Sequence, residues 1–344
     1  MLRTAVKSSS SATGELTEAR WRVSAGTAGV LGLLDIQQHA PPTTAYLMLG
    51  ERCSRNCAFC TQARESRSPA DTLSRVTWPD FASHAVVEAI ERAFQQGKVQ
   101  RACFQVTVCP GYLEETERAV RELARHCRIP ICASVAPRDA ADVGALLAAG
   151  AERVTIALDA ASERVYREMK GGSWAATMAL LESCARLYPG HVGTHLIIGL
   201  GETEREAVEL MQWLRDLGVG IGLFSFTPAS GTALAGREPP PLRKYRRMQA
   251  ARWLICNNLA RGEQFEYDGQ TGELAHYGLP ETRLRALLAD GEAFRTAGCR
   301  GCNRPYYNER PGGVMYNYPR PLTLEEASRE AEALVAGLRE CLRP

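Results

Sequence analysis

Cys53, Cys57 and Cys60 stand in the run Cys-Ser-Arg-Asn-Cys-Ala-Phe-Cys, directly after an apolar segment, residues 45–49, that reads as a buried strand. Three thiolates on one short loop can converge on one small object. Closed structural zinc sites and most ferredoxin-type clusters use four ligands. An iron-sulfur cube held by three cysteines keeps one iron open, and an open metal position binds and activates a substrate instead of only holding a fold. Two other readings stand beside this one: a zinc site completed by a distant fourth ligand, and buried thiols with no metal.

Such a loop needs rigid elements behind it. After Cys60 the chain alternates amphipathic segments with short apolar runs, the pattern of strand-helix-strand units on a parallel sheet. Val86, Val87, Ile90 and Phe94 recur at helical spacing and Gly97 stops that helix. Strands are expected at 45–49, 102–108, 131–135, 154–158, 195–200 and 221–226, with 265–267 and 293–296 as seventh and eighth. Units of this kind close into a barrel or stay open as a doubly wound sheet. The cysteine loop follows the first strand, and barrels carry their chemistry on loops after strand C-termini. The expectation is therefore an α/β, TIM-type (βα) barrel, full or partial, over residues 41–298. Residues 1–40 read as an N-terminal extension, partly disordered, with a frayed start at 1–14 preferred over a transit peptide. Residues 299–344 read as an ordered arm with a final helix.

At 344 residues, 45% hydrophobic, the chain can fill such a core. A net charge of +2 and a pI near 8.0 do not describe a polyanion-binding protein, so nucleic acid is not expected as a partner. No apolar run approaches the ~20 residues that cross a bilayer, and no membrane is expected. Twelve cysteines without the density or leader of a disulfide scaffold point to metal chemistry in a reducing compartment, the cytoplasm.

The C-x3-C-x2-C pattern with its aromatic Phe59 resembles the signature of radical S-adenosylmethionine enzymes. That resemblance implies a [4Fe-4S] cluster on Cys53, Cys57 and Cys60 whose free iron chelates S-adenosylmethionine, which one electron cleaves to a 5′-deoxyadenosyl radical. It places Phe59 at the cofactor. The run Ile197-Ile198-Gly199-Leu200-Gly201-Glu202 resembles the family's Gly-x-Ile-x-Gly-x-x-Glu segment, which implies that Ile197 packs on adenine while Gly199 and Glu202 shape the loop. A helix N-terminal carboxylate is the plainer role for Glu202. Asp159, at the end of an apolar strand, is suited to accept hydrogen bonds from ribose, or to cap the helix beginning near Ser162. Thr227-Pro228-Ala229-Ser230-Gly231-Thr232 looks like the family's Pro-x-x-Gly-Thr loop.

Arg101-Ala102-Cys103 and Ile131-Cys132-Ala133-Ser134 are similar to the second and third strands of biotin synthases, where both cysteines hold an auxiliary cluster. The third cysteine of that family is replaced by Gly193. The tail run Cys299-Arg300-Gly301-Cys302 supplies two thiols on a turn, and with Cys103 and Cys132 makes the four ligands of a second [4Fe-4S] cluster. A zinc clip pinning the tail is the alternative, and Cys109, which shares the strand parity of Cys103, is the reserve ligand. A relative of biotin synthases with a Cys-x-x-Cys-Asn-Arg-Pro tail looks like the two-component lipoyl synthases. The implied activity is sulfur insertion at C6 or C8 of an octanoyl chain on a carrier protein. The implied partners are that carrier, a companion component, and an electron donor such as ferredoxin or flavodoxin. A biotin synthase-like radical enzyme and a non-catalytic zinc scaffold are the competing readings. Cys127, Cys184, Cys256 and Cys341 read as core thiols, His126 and His195 as polar-partnered residues, and residues 242–247 as a solvated basic helix face able to steer an acidic carrier.

Overall fold

Runs of apolar residues separated by amphipathic helices build one eight-stranded sheet with helices packed on its outer face. The computed structural model describes residues 19–341 apart from 308, 310 and 311. Strand β1 (Arg20–Val23) and helix α1 (Ala25–Val30) lead into β2 (Thr44–Leu49), all six residues of which are buried. A long loop follows, then a hairpin of β3 (Thr72–Leu73) and β4 (Val76–Thr77), and then β5 (Asp80–Ala82) and α2 (Ser83–Gln95). The alternation continues through β6 (Arg101–Val106), α3 (Tyr112–His126), β7 (Ile131–Val135), α4 (Ala140–Ala148) and β8 (Arg153–Ile156). Next come α5 (Glu163–Met169), α6 (Trp174–Leu187), β9 (Val192–Ile198), α7 (Glu204–Asp216) and β10 (Gly220–Ser225). Helix α8 (Leu242–Cys256), strands β11 (Glu266–Tyr267) and β12 (Leu274–His276), helix α9 (Glu281–Leu288) and helix α10 (Leu324–Cys341) complete it.

The strand order is β10-β9-β8-β7-β6-β2-β1-β5, with β2 and β6 to β10 parallel and β1 antiparallel to both its neighbours. This is a partial TIM-type barrel of six parallel strands. The expected seventh and eighth strands are not part of it. Residues 266–267 pair instead with β12 in a separate two-stranded ladder, and 292–294 form a 3₁₀ turn. Within the extension expected over 1–40, residues 20–23 form a strand paired with β2, while the start at 1–14 lies outside the described residues.

Side chains on a strand alternate faces, and the alternation separates two environments. Ala45, Leu47 and Leu49 pack with Val86, Val87 and Ile90 of α2 in the main core, each large side chain worth about 1.5–3 kcal/mol of burial. Tyr46 and Met48 point the other way, beside Trp78, Cys103, Cys302 and Tyr307. The C-terminal arm ties β2 to β10, two strands that are not neighbours in the sheet. The Arg304 backbone N–H donates to Tyr46 Oη of β2 at 3.0 Å, while its guanidinium donates to Leu223 O of β10 at 3.1 Å.

The basic run at 242–247 is not a solvated face. Arg246 pairs with Glu330 of α10 at 2.7 Å, Arg247 with Glu204 of α7 at 2.6 Å, and Lys244 with Glu202 at 3.0 Å, leaving Arg243 exposed. These cations bind helices together, because their carboxylates lie far away in sequence but adjacent in the fold.

Candidate active site

The chain leaves β2 through Gly50, at φ +81°, where a Cβ would lie 2.5 Å from Thr107 Oγ1 and 2.9 Å from Cys109 Sγ. Only glycine fits that exit. The loop that follows is pinned by its own backbone: Cys53 N donates to Gln62 O (3.0 Å), Ser54 N to Val108 O (2.7 Å) and Ala58 N to Met169 O (2.8 Å). Its far end is clamped by the turn after β10. Arg67 N donates to Gly231 O and Ser68 Oγ to Ser230 O, and a Cβ at Gly231 would meet Ser68 N at 2.4 Å.

So held, Cys53, Cys57 and Cys60 line one cavity at the C-terminal ends of β6, β7 and β8, together with Asp159, Lys170 and His195. The backbone N–H groups of Arg55 and Val108 donate to Cys53 Sγ, each at 3.4 Å. Burial, then the neighbouring Cys57, pushes the Cys60 thiol up to about 12, and burial raises Cys57 too. Without a metal these two sulfurs keep their protons, and a bound thiophilic metal removes them.

Asp159 sits just beyond β8 with φ +64° and shares an isolated parallel bridge with Leu196. It does not cap α5, whose N-cap is Ser162; its carboxylate pairs with Lys170 Nζ at 2.8 Å. Phe59 and Asp159 line both this cavity and the adjoining barrel lumen, and Ile197 lines the lumen. Gly199 and Glu202 face neither. The Glu202 carboxylate accepts from the backbone N–H groups of Gly199, Leu200 and Gly201 at 2.9, 2.9 and 3.1 Å, so it ties its own turn. Gly199, at φ +107°, leaves no room for a Cβ beside Pro240, 2.8 Å away.

The lumen holds the second set of thiols. Cys103 and Cys132 are register partners on β6 and β7, and Cys132 lies against Cys103 and Cys299. Cys302 completes the group, and all four line the lumen with Cys60 at its upper end. The tail turn is fixed to the strand starts by Thr43 Oγ1 donating to Gly301 O (2.7 Å), Arg101 Nη1 to Arg300 O (2.8 Å) and Thr43 N to Asn303 Oδ1 (2.9 Å). Gln105 Nε2 donates to Cys103 Sγ at 3.1 Å, Thr155 Oγ1 stands 3.3 Å from Cys132 Sγ, and Tyr46 Oη 3.1 Å from Cys302 Sγ. Cys109 is not a neighbour of this set. Strand β6 ends at Val106, so parity no longer aims the residue inward, and it packs at the Gly50 exit instead. At Gly193 a Cβ would stand 3.3 Å from Arg153 Cδ, Gly220 O and Thr155 Oγ1.

Both donor sets suit iron-sulfur clusters: soft sulfur ligands, several with hydrogen-bond donors directed at them. Among the described residues no three His, Cys, Asp or Glu side chains are arranged around one point as a single ion requires. Three residues of the site escape the sequence reading. His195 lies between the two cavities, its ring edge-on to Phe224 at 4.9 Å, and burial lowers its pKa to about 4. Lys170 follows an ordinary helix. Arg304 stacks on Phe224, 3.6 Å from the ring centroid. The Asn-Arg-Pro following Cys302 was the available signal for the last.

Residues 47–214 match the radical SAM superfamily. Among curated proteins the chain is 25% identical over 190 residues to biotin synthase of Persephonella marina, covering 54% of each chain. It is 26% identical over 198 residues to lipoyl synthase of Haemophilus influenzae (strain PittEE), covering 52% of this chain and 54% of that one. The chain thus spans about half the length of the curated relatives it matches. Among solved structures, the FeFe-hydrogenase maturase HydG from Carboxydothermus hydrogenoformans superposes with a TM-score of 0.50 at 14% identity, over 87% of this chain and 81% of that one. That likeness concerns the fold.

Proposed function

From a chain whose residues 47–214 belong to the radical SAM superfamily, we propose a sulfur-inserting enzyme resembling a lipoyl synthase component, acting at C6 or C8 of an octanoyl chain on a carrier protein. The observation that carries this reading is the shared lumen: Cys60 of the first thiol set and all of Cys103, Cys132, Cys299 and Cys302 line one cavity. A carbon placed between them would be within reach of both. An isolated alkyl C–H bond offers nothing for a base or Lewis acid to polarise, so the hard step belongs to a cofactor. Cys53, Cys57 and Cys60 would hold a [4Fe-4S] cluster that, with S-adenosylmethionine, would supply a carbon-centred radical for hydrogen abstraction, and the other four cysteines would hold a second cluster that would supply sulfide.

The protein's own part is placement and seclusion. Phe59 and Ile197 offer apolar faces at the upper end of the lumen, and Asp159, fixed by Lys170, offers a carboxylate for hydroxyl groups. His195 is neutral at physiological pH, so no extra charge draws water into the lumen. The arm ties β2 to β10 at Arg304 and so helps to enclose the lumen, as a reactive radical requires. The crowded space beside Gly193 favours the tail over β9 as the source of ligands. The partners proposed are the octanoylated carrier, a companion component completing the second insertion, and a low-potential ferredoxin or flavodoxin in the reducing cytoplasm. No helix is long and apolar enough to cross a membrane among the described residues.

The test is anaerobic reconstitution followed by turnover of an octanoylated carrier peptide. About eight irons per chain are expected for two cubes, with 5′-deoxyadenosine formed and one sulfur gained by the peptide. Cys299→Ala should still yield 5′-deoxyadenosine but add no sulfur. Sulfur gained by the peptide in that variant would remove the tail ligands, and zinc without iron would leave only a scaffold.

A further inference from the structure

We infer that Tyr46 and Gln105 are positioning residues that set the reduction potential of the second cluster, by donating hydrogen bonds to the sulfurs of Cys302 and Cys103. The inference rests on the second-cluster reading above and adds to it the two side chains that tune its ligands. Tyr46 and Cys103 are register partners on β2 and β6, and Gln105 is the next inward residue on β6. Gln105 carries the donor in its pair, Nε2 to Cys103 Sγ at 3.1 Å. For Tyr46 the direction follows from its surroundings. Its oxygen accepts the Arg304 backbone N–H at 3.0 Å, and Cys302 Sγ stands 3.1 Å away on another side. A metal-bound Cys302 sulfur has no proton to give, so the hydroxyl proton points at the sulfur.

Arg304 thereby has a second consequence: the residue that ties β2 to β10 also orients the tyrosine that serves Cys302. Hydrogen bonds to coordinating sulfur stabilise the more negative, reduced state of a cluster and raise its potential. In the proposed reaction, a carbon–sulfur bond between a substrate radical and a cluster sulfide would join one radical electron with a sulfide pair and would leave one electron on the irons. A higher potential favours that transfer.

The experiment is a redox titration, followed by electron paramagnetic resonance, of the reconstituted full chain and three variants. Tyr46→Phe should keep its iron and move the second cluster's midpoint to a more negative potential while leaving the first cluster's midpoint in place. Fluorotyrosine at position 46, a stronger donor of the same shape, should move it the opposite way, and Gln105→Leu should move it in the same direction as Tyr46→Phe. These opposed shifts are not expected from a purely structural role. An unchanged second midpoint in Tyr46→Phe and in the fluorotyrosine protein, both loaded with two clusters, overturns the inference and leaves the proposed function standing. A wild-type chain that takes up only one cluster overturns the second-cluster reading, and this inference with it.

Discussion

Lys170 Nζ lies 2.8 Å from Asp159 Oδ2, with both side chains almost wholly out of solvent. Burial, the largest single influence, would lower the ammonium, but the Asp159 carboxylate acting with Cys57 and Tyr166 outweighs it and the Lys170 pKa is raised. Removing one member of a buried pair strands the other, at a cost of about 3–5 kcal/mol. Lys170→Met should therefore lower the urea midpoint strongly, and the double variant Lys170→Met/Asp159→Asn should recover most of the loss. Equal destabilisation in the single and double variants would mean that the pair is not coupled.

A second buried pair holds the layer behind the sheet. Arg247 donates through Nε and Nη2 to both oxygens of Glu204, which also accepts the Leu274 N–H at 2.7 Å. Arg247→Met should cost stability of about 3–5 kcal/mol, whereas Arg243→Met on the exposed side should change it by less than about 0.5 kcal/mol. Thermal melts of the two variants, at equal iron content, distinguish a structural clamp from the carrier-steering patch suggested by the bare charge run.

Which parts of the site were legible in the sequence follows from the range of the interactions involved. The cysteine loop is local, so its spacing already singled out Cys53, Cys57 and Cys60 as thiols able to converge, and the structure brings them to one cavity. Cys103 and Cys132 sit on strands with regular alternation, and parallel register brings them together. The same parity argument failed at Cys109 because the strand stops at Val106, a boundary set by the loop at Gly50 and not by the apolar pattern. His195 and Lys170 looked ordinary, since their surroundings are assembled from distant segments only when the sheet curls. The carboxylates facing Arg246 and Arg247 lie 84 and 43 residues away, beyond any periodicity argument.

Gly231 links the loop after β10 to the cysteine loop without being part of either thiol set. At φ +83° a side chain is already strained, and a Cβ would press on Ser68 N at 2.4 Å and Arg67 C at 2.7 Å. The contact joins two loops and no strand of the sheet. Gly231→Ala should thus lower global stability by only about 1–3 kcal/mol while sharply reducing iron held by Cys53, Cys57 and Cys60. Iron analysis in a Cys299→Ala/Cys302→Ala background isolates the proposed first cluster, and full retention there would show that the clamp is dispensable.

His195 gives the fold an acid-sensitive element whose sign can be worked out. Burial, against the attraction of Asp159 and with the repulsion of Arg304 and Lys170, brings its folded pKa from 6.5 to about 4. Above pH 6.5 the imidazole is neutral whether the chain is folded or not, and it contributes no pH dependence. As pH falls from 6.5 toward about 4, the unfolded chain takes up a proton that the folded one refuses, so stability declines through that window and levels off below it. Between pH 7 and pH 5 the decline assignable to this one group is about 2 kcal/mol. His195→Gln, which cannot be protonated, should lose less stability than wild type over the same interval by that amount, measured by urea unfolding at both pH values. Parallel losses in the two proteins would mean that the imidazole is hydrated in the folded chain and that the lumen is wet, which would also count against the enclosure the proposed radical chemistry needs.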